Sequence, residues 1–105
     1  MIELTNDADK MISYLYKEYL SRRKQGSSKV DARNFSNDYF ASEKFFSKWL
    51  PEDISDTLME LGQKKYLLIY MGGYFEIRDN TIIYMENRFK NGLIGVTDFI
   101  TKFIP

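Results

Sequence analysis

A chain of 105 residues, 44% hydrophobic and 16% aromatic, can bury one core but not two, so one domain over residues 1–105 is expected and a disordered tail is excluded. The absence of Cys and His removes disulfides, thiolate or imidazole metal sites and the commonest general base, so neither enzymatic activity nor a cofactor is expected. Charge balances at 15 basic against 15 acidic residues, which leaves no net field toward phosphate.

The distribution of charge is more informative than its sum. Residues 1–35 have seven Lys or Arg against five Asp or Glu, residues 36–62 two against six, and residues 63–105 six against four. The middle third is acidic. The opening stretch from Met1 to Asp7 lacks the basic-then-apolar pattern of a secretory signal, and no apolar run approaches the roughly 20 residues a membrane span requires. A cytoplasmic location without a membrane partner is expected.

In chain order, Ala8, Met11, Ile12, Leu15, Tyr16, Tyr19 and Leu20 mark one face of a first helix. Asn6 is placed to cap it, Asp7 and Asp9 suit its first turn, Arg22, Arg23 and Lys24 suit its last, and Gly26 ends it. Lys29 to Phe35 reads as a short extended connection. Ser36 then opens a short helix with Tyr39, Phe40, Phe45 and Phe46 toward the core, which Ser42 and Glu43 could restart; Trp49 reads as a core anchor.

Pro51 suits the first turn of a third helix, followed by Glu52 and Asp53 at its positive end. Ile54, Leu58 and Leu61 form its inward stripe, Gly62 lies near its end, and Asp53, Asp56, Thr57 and Glu60 point outward. Tyr66 to Tyr70 and Tyr74 to Arg78 are β-favouring runs joined by Met71-Gly72-Gly73, a hairpin pattern in which glycine supplies positive φ. Asp79 or Asn80 caps a long helix over residues 79–105. Its seven-residue seam is Ile82, Phe89, Val96 and Phe103, with Met85 and Phe99 between, and Gly92 and Gly95 are places where it bends or breaks.

This element order, helix, strand, two helices, hairpin and helix, resembles a winged helix-turn-helix domain: α+β, mainly helical, with a two-stranded wing and a long C-terminal helix. Leu58, Glu60-Leu61 and Tyr66-Leu67 resemble the passage from third helix to wing in bacterial winged-helix proteins, where a glycine usually stands in the place of Lys65. The run from Phe75 to Asn87 resembles the exit from the second wing strand, although the usual threonine and glycine are absent near Arg78 and Thr81. The pattern over about residues 7–105 is similar to small proteins of Firmicutes and their phages such as the YjcQ-like group.

The resemblance implies binding to double-stranded DNA and a role in transcription regulation, with Arg22, Arg23, Lys24, Lys29, Lys64, Lys65 and Arg78 as the phosphate-facing set. The acidic third helix argues otherwise, because carboxylates repel phosphate. The alternative is a protein-interaction module that uses Asp53, Asp56 and Glu60 toward a basic partner; on either reading the seam of Phe89, Val96, Phe99 and Phe103 folds back onto its own domain or pairs two copies, and a homodimer is expected. Tyr14, Tyr16, Tyr19, Tyr66, Tyr70 and Tyr74 read mainly as packing residues, and Glu52, Asp53, Asp56 and Glu60 lack the spacing of a cation loop.

Overall fold

The spacing of Ala8, Met11, Ile12, Leu15, Tyr16 and Tyr19 builds one buried helical face. In the computed structural model, which describes residues 3–104, these side chains line the inside of α1, Asn6–Lys24. Met1, Ile2 and Pro105, which the readings of the N-terminal stretch and of the last helix include, lie outside the described residues. Thr5, not Asn6, caps α1: its backbone is extended and its Oγ1 accepts from the Ala8 N–H at 3.3 Å. At the other end Gly26 (φ 105°) turns the chain, and the N–H groups of Ser27 and Gly26 donate to Arg22 O (2.9 Å) and Arg23 O (3.1 Å).

The expected extended connection is largely helical. Ser28 Oγ accepts from the Asp31 N–H at 3.1 Å and caps α2, Lys29–Ala32, which leaves only β1, Asn34–Phe35, extended. The expected short aromatic helix is two 3-10 turns, Tyr39–Ser42 and Lys44–Phe46. Ser36 does not cap it; its hydroxyl donates to the Asp38 carboxylate at 2.6 Å, and Glu43 (φ −100°, ψ 118°) separates the turns. The aromatic set is in the core nonetheless. Phe35 and Phe40 stack on Phe75 at 5.2 and 5.6 Å, and partly buried Trp49 meets Phe46 edge-on at 5.0 Å.

α3 spans Pro51–Gln63, with proline in its first turn as expected. Leu61 is buried and Ile54 and Leu58 are partly so, but Thr57 also faces inward, where its hydroxyl donates to Asp53 O at 2.6 Å. The helix ends in a paired-carbonyl cap: the N–H groups of Tyr66 and Lys65 donate to Leu61 O (2.9 Å) and Gly62 O (3.1 Å). This cap requires a left-handed residue. Lys65 occupies it at φ 66°, which costs a non-glycine residue on the order of 1 kcal/mol.

β2, Leu67–Ile69, and β3, Phe75–Ile77, form the expected hairpin, with Leu67 opposite Ile77 and Ile69 opposite Phe75, and Gly72 and Gly73 both at φ 89° in the turn. β1 adds to the far side of β3, so the ribbon is a three-stranded antiparallel sheet in the order β1-β3-β2. After it the single long helix is replaced by two, α4, Asp79–Arg88, and α5, Leu93–Thr101. Arg78, with no side-chain cap, precedes α4. The break falls at Phe89 to Gly92, where Gly92 takes φ 63° and ψ −128°; Gly95 lies inside α5.

The fold is thus α+β and mainly helical. α1 runs through its middle and packs on α5, α3, α2 and α4, and the Cα radius of gyration, 12.8 Å, is that of a compact domain of this length. Among the described residues no helix is long and apolar enough to cross a membrane.

Candidate functional site

Two sets of carboxylates share α3 but not their surroundings. Glu52, Asp53 and Asp56 are exposed, as the sequence suggests. Glu60 turns back onto its own chain, where its two oxygens accept from the Thr5 N–H at 3.0 Å and the Thr5 hydroxyl at 2.7 Å, and Lys64 Nζ lies 2.9 Å away. Burial pushes this carboxyl upward, but the Thr5 amide and hydroxyl and the Lys64 ammonium outweigh it and hold the group below the ordinary carboxylate value. Glu60 is therefore removed from the outward face. Its task is to tie the start of α1 to α3.

The seven cations expected to face phosphate do not form one band. Arg22 lies against the chain's own aromatic wall, 4.3 Å over Phe35, with Nη1 donating to Asn34 O at 2.7 Å and Nε 3.5 Å from Glu18. Arg23 donates to Ser27 O at 3.1 Å, closing the C-terminus of α1 beside exposed Lys24. Lys64 reaches Glu3 O at 2.9 Å as well as Glu60. Lys29 lies 4.0 Å from Asp79, whose carboxyl the Arg33 guanidinium holds below its ordinary value. Arg33, which the sequence reading passed over, also donates to Ile77 O at 2.7 Å and so fixes β3 and α4 to α2.

Besides Lys24 at the end of α1, Lys65 and Arg78 remain. Among the described residues neither side chain has a hydrogen-bonding or ionic partner, and both line a groove of about 400 Å³ between α3 and β2. Met59, Gly62, Gln63, Leu67, Leu68 and Ile69 form the rest of it. Met59, Leu68 and Ile69 are exposed there, and Tyr70, Tyr74 and, at the hairpin tip, fully exposed Met71 add further exposed apolar side chains to the same hairpin. Sequence reasoning missed this apolar surface. The available signal was the uninterrupted run Leu67-Leu68-Ile69-Tyr70, since a half-buried strand would alternate apolar with polar residues.

The expected pairing seam is partly consumed within the chain. Val96 is completely buried and Phe89 is 8% exposed, because α5 folds back along α1; Phe99 is half-buried between Phe89 and Phe103, and Phe103 is at the surface. Tyr16, Tyr19 and Tyr66 are core residues and Tyr14 is half-buried, whereas Tyr70 and Tyr74 are 45% and 53% exposed. Comparison with known proteins finds no matching family model, no matching curated protein and no matching solved structure.

Proposed function

We propose that this chain is a winged-helix-type binding module of the cytoplasm that docks a protein partner through the face formed by α3 and the hairpin, and that it catalyses no reaction. The scaffold reading is supported by the element order, with β1 joining the hairpin beside α3. The observation that carries the functional reading is the set of exposed apolar side chains on α3 and the hairpin, Met59, Leu68 and Ile69 around one groove and Met71 at the tip. A wing that grips phosphate presents cations there; this one presents methionine, leucine and tyrosine beside three solvent-facing carboxylates.

Affinity capture with the intact protein and with the double variant Met59→Asp, Leu68→Asp tests this reading. Both substitutions are at exposed positions, and circular dichroism with thermal unfolding checks that the variant keeps its fold. Loss of the captured partner supports the proposal, and equal recovery by both proteins removes the face from the account.

The second reading, a DNA-binding transcription regulator, is favoured by Lys65 and Arg78, the two unpaired cations at the base of the hairpin. It predicts duplex binding whose log affinity falls linearly with log salt and which Arg78→Glu weakens. Duplex binding with that slope would displace the protein-docking proposal.

A further inference from the structure

The groove between α3 and β2 combines apolar and cationic chemistry. Its floor is apolar, from Met59, Leu68 and Ile69, and Ile69 lies across α3 because Gly62 has no side chain: a Cβ there would come within 2.8 Å of Ile69 Cδ1. Lys65 and Arg78 are the two charged residues of its lining, whereas the exposed carboxylates of α3 are absent from it, and Asp56 lies with Thr5 and Asn6 in a separate cavity against the start of α1. β2 is an edge strand, with β3 on one side only. Its consecutive residues Leu67, Leu68 and Ile69 all line the groove, as they do along an open strand edge, since successive side chains point to opposite faces.

Resting on the reading of this face as a protein-docking surface, we propose that the groove takes an extended peptide segment whose carboxylates meet Lys65 and Arg78 and whose following apolar residues lie on Met59, Leu68 and Ile69. Charge complementarity selects this occupant. A peptide needs acid at the two cations only, whereas a nucleic acid strand has a phosphate at every step and would meet just two cations among eight lining residues, the other six uncharged. An edge strand suits an extended chain, which adds main-chain hydrogen bonds to side-chain recognition. The backbone of Lys65 points the same way: at φ 66° a glycine would close the helix without strain, yet the position holds a cation on the groove.

The test is selection of short random peptides displayed on phage against the full chain, followed by titration of the enriched peptides with fluorescence polarisation and by amide chemical-shift mapping. Enriched peptides are expected to combine Asp or Glu with adjoining Leu, Ile, Phe or Met, and to shift the amides of Met59, Gln63, Leu68 and Ile69. Lys65→Glu and Arg78→Glu each weaken binding roughly tenfold. Lys65→Gly separates recognition from folding, because it raises the melting temperature by relieving the left-handed backbone while it weakens the peptide several-fold.

Enrichment of neutral or basic peptides on the same amides overturns the acidic preference and leaves the docking face standing. No enrichment over the bare support, or shifts elsewhere on the molecule, overturns both. An oligothymidine that displaces the enriched peptides and binds more tightly assigns the groove to nucleic acid and overturns the proposal.

Discussion

The Thr5 N–H donates to the Glu60 carboxylate at 3.0 Å across 55 residues of sequence, and the Thr5 hydroxyl that donates to the same carboxylate at 2.7 Å also accepts from the Ala8 N–H. One residue thus caps α1 and fastens it to α3. A helix N-terminus bears partial positive charge, and Glu60 answers it from a neighbouring helix in place of a residue in the first turn of α1. One of the three acids expected on an outward face is in this way committed to the scaffold.

That pairing makes stability depend on pH in a defined direction. The carboxyl of Glu60 is held below its ordinary value of 4.5, so its contribution is fully present above that value and is lost as pH falls through the lower folded-state value. Glu60→Gln is expected to lower unfolding free energy by about 1–2 kcal/mol at neutral pH, and the gap to the parent protein should close in acid. Urea titrations of both proteins from pH 7 to pH 3 check this, and a gap independent of pH would show that the charge is irrelevant.

Gly92 and Gly95 appear in the sequence as equal interruptions of one helix, and the structure separates them. Gly92 takes φ 63° with open space around it, so an added methyl group meets nothing and the whole cost is backbone. Gly95 is helical, with its nearest neighbours at 3.6–3.8 Å from a built Cβ. Gly92→Ala should therefore lose about 1–2 kcal/mol and Gly95→Ala should gain up to about 1 kcal/mol. Thermal unfolding of the pair decides, and equal signs would contradict the break between α4 and α5.

What the sequence made legible is what periodicity and turn chemistry encode. The α1 stripe, the proline at the start of α3 and the Gly-Gly hairpin each depend on residues within a few positions of one another. What it hid depends on distant partners. β1 pairs with β3 some 40 residues later in the chain, Glu60 with Thr5 and Arg33 with Ile77, and no local pattern announces these contacts. The seam of α4 and α5 was visible as apolar spacing, but the spacing does not say whether Val96 faces a second chain or α1. Lys65 shows the same limit at one residue. The resemblance marks its place as a glycine position, and the reason, a left-handed cap, becomes apparent only from the backbone.

Ser13 is completely buried on α1, and among the described residues its hydroxyl has no hydrogen-bond partner. Burying a hydroxyl without a partner costs its desolvation, and serine is also a poorer helix former than alanine. Ser13→Ala is expected to stabilise the protein by about 1 kcal/mol, seen as a melting temperature several degrees higher. A lower melting temperature would mean that the hydroxyl has a partner after all.

Arg88 closes the other side of the molecule against α1. Its two terminal nitrogens donate to both oxygens of Asp9, Nη2 to Oδ2 at 3.0 Å, and its guanidinium lies 4.8 Å over Phe89 and 4.7 Å over Phe99. Pairing with Asp9 outweighs burial and raises the guanidinium's pKa, so the group stays charged throughout the working range. The site uses a planar fork: one face stacks on rings while the edge holds a carboxylate. An ammonium supplies the charge without the plane. Arg88→Lys should therefore lose about 1–2 kcal/mol although charge is conserved, and most of the loss should persist in high salt, where a simple ion pair would be screened. A double-mutant cycle with Asp9→Asn assigns the share due to the pair: coupling well below the total leaves the remainder to the aromatic rings, whereas an Arg88→Lys variant as stable as the parent would show that charge alone closes this side.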